Sequence, residues 1–127
     1  MKKILIVDDE AGFTRLMKLT LQKIGGYEVF EENDGAHALE TARRVRPDLI
    51  LMDIVMPNVD GGDAASMIRK DSDLTRIPII FLTAIVSKKE TAPGALIGGF
   101  PFLSKPVSLD ALIACIEENL LPVPCPE

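Results

Sequence analysis

Five short apolar runs punctuate the chain: Ile4 to Val7, Tyr27 to Phe30, Leu49 to Met52, Ile79 to Leu82 and Phe100 to Leu103. The first, third and fourth are continuous rather than alternating, the pattern of strands buried on both faces. Between the runs lie segments with helical spacing. Phe13, Leu16, Met17, Leu21 and Ile24 set out one apolar stripe, and Leu109, Leu112, Ile113, Ile116 and Leu120 another, so both helices are expected to pack on the sheet. Asp34 is placed to cap a helix carrying Ala38, Leu39, Ala42 and Val45, which Arg46-Pro47 ends. Gly61 to Lys70 is a further helix, with Met67 and Ile68 as its apolar residues. Strand and helix alternating in this way predict an α/β domain with a parallel sheet and helices on both faces, because parallel neighbours need crossover connections.

At 127 residues a single domain is expected, and the net charge of −5 argues against direct nucleic-acid binding or an anionic membrane face. No apolar run approaches the roughly 18 residues of a membrane span, and only Ile4 to Val7 separate Met1-Lys2-Lys3 from Asp8, too few for a signal-peptide core. A cytoplasmic protein with no membrane contact is the expectation. Cys115 and Cys125 have no second cysteine pair or histidine cluster beside them, and in that compartment a disulfide is disfavoured. His37 sits in a polar setting and reads as a solvated helix residue with no partner for a catalytic dyad. The expected domain covers residues 1–121; residues 122–127, rich in proline, form a tail or the start of a linker.

In a parallel α/β sheet, ligands bind in the crevice outside the carboxyl ends of the strands, so the residue after each run carries most weight. Asp8, Asp9 and Glu10 follow the first run, Asp53 the third, Thr83 the fourth, and Lys105 comes after Leu103-Ser104. Asp8 or Asp9 alone can be explained as a helix cap. Asp53 is followed by Ile54-Val55-Met56-Pro57, where no helix begins. Three converging carboxylates repel one another and call for a cation, and an all-oxygen ligand set without Cys or His points to a hard ion such as Mg²⁺. Lys105 and Thr83 then offer an ammonium and a hydroxyl to further oxygens of a phosphoryl group passing to, or resting on, the Asp53 carboxylate.

Asp8-Asp9, Asp53 within Leu51-Met52-Asp53-Ile54-Val55-Met56-Pro57, Asp60-Gly61, Thr83-Ala84 and Lys105-Pro106 together resemble the receiver domain of two-component response regulators, the CheY-like superfamily, from Lys2 to about Leu121. The resemblance implies a (βα)₅ doubly wound, flavodoxin-like fold with strand order 2-1-3-4-5. It implies that Asp53 is the phosphoacceptor, that Asp9 and Asp53 hold Mg²⁺ directly with Asp8 acting nearby through water, and that the backbone carbonyl of Val55 is a further metal ligand. Thr83 becomes the switch hydroxyl, Lys105 the phosphate partner through a cis Lys105-Pro106 bond, and Phe102 the aromatic that changes rotamer on phosphorylation. The implied partners are a histidine kinase or histidine phosphotransfer protein and a downstream effector protein or output domain, with a phosphorylation-linked homodimer allowed. On this reading the chain is a signalling phosphoacceptor rather than an enzyme, catalysing only its own phosphorylation and slow dephosphorylation.

The sequence also departs from the receiver pattern. Val55 and Ile85 are apolar where many receivers carry polar side chains beside the path of attacking water, which implies slow loss of phosphate. Pro93, followed by Gly94, Gly98 and Gly99, falls where the fourth helix is expected and implies a short or kinked element there. Three other classes compete. A Mg²⁺-dependent phosphohydrolase of the haloacid-dehalogenase type needs a second Asp at the place of Val55 and room for a cap domain. A flavodoxin-like cofactor binder is opposed by the repulsion of Asp8-Asp9-Glu10 for a flavin phosphate. A receiver-like adaptor that takes no phosphate is opposed by the complete set of Asp8, Asp9, Asp53, Thr83 and Lys105.

Overall fold

The continuous apolar runs form the centre of a sheet that helices cover on both sides. The computed structural model describes residues 2–24, 26–54, 56, 60–83, 96–97, 100–104 and 108–120, and of residues 83, 96, 97, 100 and 104 only the backbone. The elements are β1 Lys2–Val7, α1 Ala11–Ile24, β2 Tyr27–Glu32, a 3₁₀ turn Gly35–His37 running into α2 Ala38–Val45, β3 Leu49–Asp53, α3 Gly61–Lys70, β4 Ile79–Thr83, β5 Leu96–Ile97, β6 Phe100–Ser104 and α4 Leu109–Leu120. The sheet order is β2-β1-β3-β4-β6-β5. Its first five members are parallel and are the expected 2-1-3-4-5 order, the run Phe100 to Leu103 being β6 in chain order. The two-residue β5, not anticipated from the sequence, pairs antiparallel with β6 through Leu96 opposite Pro101 and Ile97 opposite Phe100. The fourth helix and Pro93 lie outside the described residues.

Alternation along each strand divides the core. Leu5, Val7, Ile50, Met52, Ile79 and Phe81 face Ala38 and Ala42 of α2 and Ala64, Ala65 and Ile68 of α3. Ile4, Ile6, Leu49, Leu51, Ile80 and Leu82 face Leu21 of α1 and Leu112 and Ile116 of α4. Every residue of β3 is buried, and each large apolar side chain so placed contributes about 1.5–3 kcal/mol.

The helical stripes need correction at several positions. The covered arc of α1 comprises Thr14 and Leu21, with Phe13 and Met17 partly buried; Leu16 lies off that arc and is 59% exposed, and Ile24, the last residue of the helix, is also exposed. Leu109 and Met67 are exposed as well. Ile24 and Leu109 stand at helix ends, where the right angle about the axis does not ensure cover, whereas Met67 lies off the buried arc of α3 formed by Gly61, Ala64, Ala65 and Ile68.

The helix starts follow local chemistry. Asp34 accepts a hydrogen bond from the Ala36 N–H and caps the 3₁₀ turn rather than α2 directly, Asp60 accepts from Gly62 N–H at α3, and Ser108 Oγ accepts from Ala111 N–H at α4 (3.1 Å). Arg46, with φ 51°, ends α2 in the left-handed region just before Pro47. Arg43 on α2 donates to Asp71 at the end of α3 (2.6 Å), and this hydrogen bond, aided by the Asp73 N–H, holds the Asp71 carboxyl below the usual carboxylate range. His37 is exposed, with Nδ1 3.6 Å from Asp34 Oδ2, and Cys115 is a half-buried free thiol. Among the described residues no helix is long and apolar enough to cross a membrane.

Candidate functional site

The parallel register decides which side chains meet. Val7 pairs with Met52, Asp53 with Leu82, and Thr83 with Ser104, so β1, β3, β4 and β6 all end at one edge. Asp8 and Asp9 leave β1 at that edge and Asp53 is the last residue of β3. One carboxylate oxygen from each of Asp8, Asp9 and Asp53 lies within 4.8 Å of the others. Asp8 and Asp53 are 1% and 7% exposed whereas Asp9 faces solvent, so two charges are held in the protein and the third closes the cluster from outside. Asp8 also accepts the Glu10 N–H (2.9 Å), a turn that leads into α1. That bond closes a turn ahead of α1, at whose start the Glu10 carbonyl accepts from Phe13 and Thr14 N–H, so it does not cap a helical N–H.

Three carboxylates this close repel one another in their ionised forms. The donor set is oxygen only, which suits Mg²⁺ and disfavours softer transition metals. The chemistry of the cluster therefore fits the ion the sequence called for. Thr83 ends β4 beside this edge. Phe102 is partly buried and packs against the core cluster that holds Phe81, its register partner across β4 and β6. Lys105, the Lys105-Pro106 bond, Val55 and Ile85 lie outside the described residues.

A further set of polar residues at this edge escaped the sequence reading. Asn33, directly after β2, donates through Nδ2 to the Asp8 carbonyl (2.8 Å) and to Thr14 Oγ1 (2.9 Å). The Thr14 hydroxyl is buried and faces both Glu31 Oε1 (2.9 Å) and the Ala11 carbonyl (3.1 Å). The signal was available in the rule that directs attention to strand ends, but Glu31 and Glu32 made the second run seem to stop at Phe30. As an edge strand, β2 carries polar residues to its last position.

Against this geometry, comparison with known proteins gives a consistent result. The chain matches the family described as response regulator receiver domain over residues 4–117. It is 37% identical over 119 residues to the probable transcriptional regulator ycf27 of Porphyridium aerugineum, covering 94% of this chain and 48% of that protein. It is 32% identical over 120 residues to the DNA-binding dual master transcriptional regulator RpaA of Synechocystis, covering 94% and 49%. Among solved structures it superposes on the Vibrio cholerae chemotaxis protein CheY4 with a TM-score of 0.80 at 32% identity, covering 93% of this chain and 98% of that one. The response regulator TrrA of Thermotoga maritima, solved in complex with Mg(2+)-BeF, gives a TM-score of 0.77 at 31% identity, covering 94% and 99%.

A parallel sheet in this order, with three carboxylates gathered at its carboxyl edge, defines a receiver fold. The chain belongs to the response regulator receiver domain family. It spans about half the length of the curated relatives it matches.

Proposed function

We propose that this chain accepts a phosphoryl group onto the carboxylate of Asp53 in a Mg²⁺-dependent reaction and changes conformation to pass the signal on. The observation that carries the reading is the meeting of Asp8, Asp9 and Asp53 at the carboxyl edge of the sheet. An Asp53 oxygen attacks phosphorus, the bond from phosphorus to the donor's nitrogen or oxygen breaks, and the electron pair leaves with the donor. Asp9 and Asp53, with the Val55 carbonyl and with Asp8 acting through water, would hold Mg²⁺, which when bound offsets the negative charge of the phosphoryl oxygens. Lys105 binds a second phosphoryl oxygen as a point charge, and Thr83 donates to a third. As Thr83 moves to the phosphate, Phe102 turns into the space it leaves, a two-state element that the phosphoryl group biases.

The chain acts here as a cytoplasmic signalling protein whose catalysis is limited to its own phosphorylation and dephosphorylation. A histidine kinase or histidine phosphotransfer protein supplies the group, and an effector or output domain reads it. Residues 1–121 make up the receiver and 122–127 a tail or linker. Incubation with acetyl phosphate, followed by intact-mass measurement, is expected to add one phosphoryl group in Mg²⁺ and none in EDTA; labelling that ignores Mg²⁺ would overturn the reading. Asp9→Ala is expected to weaken Mg²⁺ binding by well over an order of magnitude, because an ion that dehydrates reluctantly loses one of its few carboxylates. Calorimetric titration of the variant measures this, and an unchanged affinity removes Asp9 from the site.

A further inference from the structure

We propose that Asn33 is a positioning residue for the metal site, acting through the peptide that joins Asp8 to Asp9. The inference rests on the reading of Asp9 as a direct Mg²⁺ ligand with Asp8 acting beside it through water. Its starting point is the ladder between β1 and β2. From Lys2 opposite Tyr27 to Val7 opposite Glu32 the strands are in parallel register. The bonds at both ends of the ladder follow one rule, Lys2 N–H donating to Gly26 C=O (3.1 Å) and Asp8 N–H to Glu32 C=O (3.0 Å). Continued for one more step, the pattern would bring the Asp34 N–H to the Asp8 carbonyl.

That step does not occur. The Asp34 N–H donates to Glu32 Oε2 instead (3.0 Å) as the chain turns into the 3₁₀ segment. The Asn33 side-chain amide takes its place on the Asp8 carbonyl at 2.8 Å. Asn33 is itself aimed by Thr14, whose hydroxyl receives its second N–H and is held in turn by Glu31, with Arg15 Nε 3.6 Å from the Glu31 carboxylate. Both amide hydrogens are thus used, and the alternative amide orientation would set an oxygen against the Asp8 carbonyl.

The Asp8 carbonyl belongs to the peptide plane between the two consecutive carboxylates. Fixing that plane fixes where Asp9 leaves β1 relative to Asp8. Asp9 is exposed and the three carboxylates repel, so without an ion the electrostatic preference is for Asp9 to swing outward into water. Asn33 opposes that swing with a neutral donor and adds no charge to the cluster. Partners of this kind behind metal ligands typically affect affinity about 10–100-fold.

The test is a Mg²⁺ titration of wild type, Asn33→Ala and Asn33→Leu, read by calorimetry and paired with the Mg²⁺ dependence of labelling by acetyl phosphate. Asn33 is exposed, and the leucine variant keeps its bulk without the amide. Both variants are expected to bind Mg²⁺ at least roughly tenfold more weakly, while the labelling rate at saturating Mg²⁺ returns close to the wild-type value. A merely structural role would lower the melting temperature in EDTA and leave the Mg²⁺ affinity of the folded protein where it was; that result overturns the proposal while the metal site stands. Wild type that takes up no Mg²⁺ overturns the site reading itself, and the proposal with it.

Discussion

Asp53→Asn is expected to abolish incorporation of a phosphoryl group from acetyl phosphate in Mg²⁺, leaving a mass spectrum with no added phosphoryl where wild type gains one. The substitution keeps the shape of a side chain that is 7% exposed at the end of a fully buried strand, so the fold is retained. It removes the anionic nucleophile, since an amide nitrogen shares its electron pair with the carbonyl and the amide oxygen carries no full charge. It also removes one of three mutually repelling carboxylates, whose gross pairwise repulsion is on the order of 1–4 kcal/mol at such separations. The metal-free variant is therefore expected to melt no lower than wild type. Equal labelling of both proteins would show that the acceptor lies elsewhere.

Gly61→Ala is expected to be the most damaging single-methyl change in the site. A Cβ at Gly61 would lie 2.1 Å from the Asp53 carbonyl oxygen and 2.7 Å from the Ile54 Cα, both backbone atoms that cannot rotate aside. The first turn of α3 approaches so closely because the Gly61 N–H donates to the Ile54 carbonyl at 2.7 Å, tying the helix to the segment that leaves β3. Relief requires α3 or the end of β3 to move, with a cost of at least about 2–3 kcal/mol and a fall in Tm of roughly 7–11 °C. Because the displaced carbonyl is that of Asp53 itself, labelling by acetyl phosphate is expected to fall as well. Gly12 on α1, with nothing within 4 Å of an added Cβ, is the control: Gly12→Ala is expected to stabilise by about 0.5–1 kcal/mol. Calorimetric melting of the two variants checks the contrast, and equal Tm changes would refute it.

The two effects differ in how far the sequence foretells them. Asp53 stands out because it ends an apolar run and no helix starts behind it, whereas the clash at Gly61 depends on the distance between a helix start and a strand end.

Much of the architecture was legible in local pattern. A strand buried on both faces must be continuously apolar, so Ile4 to Val7, Leu49 to Met52 and Ile79 to Leu82 declared the central strands, and the parallel arrangement put Asp8, Asp9, Asp53 and Thr83 at one edge. Pattern failed where burial depends on position along the sheet. Ile24 has the composition and the helical angle of a core residue yet faces solvent, because an apolar period sets an angle about the helix axis and not what lies beneath it, while Leu16 lies off the covered arc of α1 altogether. The edge strand β2 ran on through Glu31 and Glu32, which hid its end and with it Asn33. Sequence alone thus determined which chemical groups the chain delivers to the edge. Only the tertiary structure decided how they are held, because the Asn33 amide reaches the Asp8 carbonyl across 25 residues of chain and α3 meets Asp53 through a glycine, and such contacts exist only once the strands are in register.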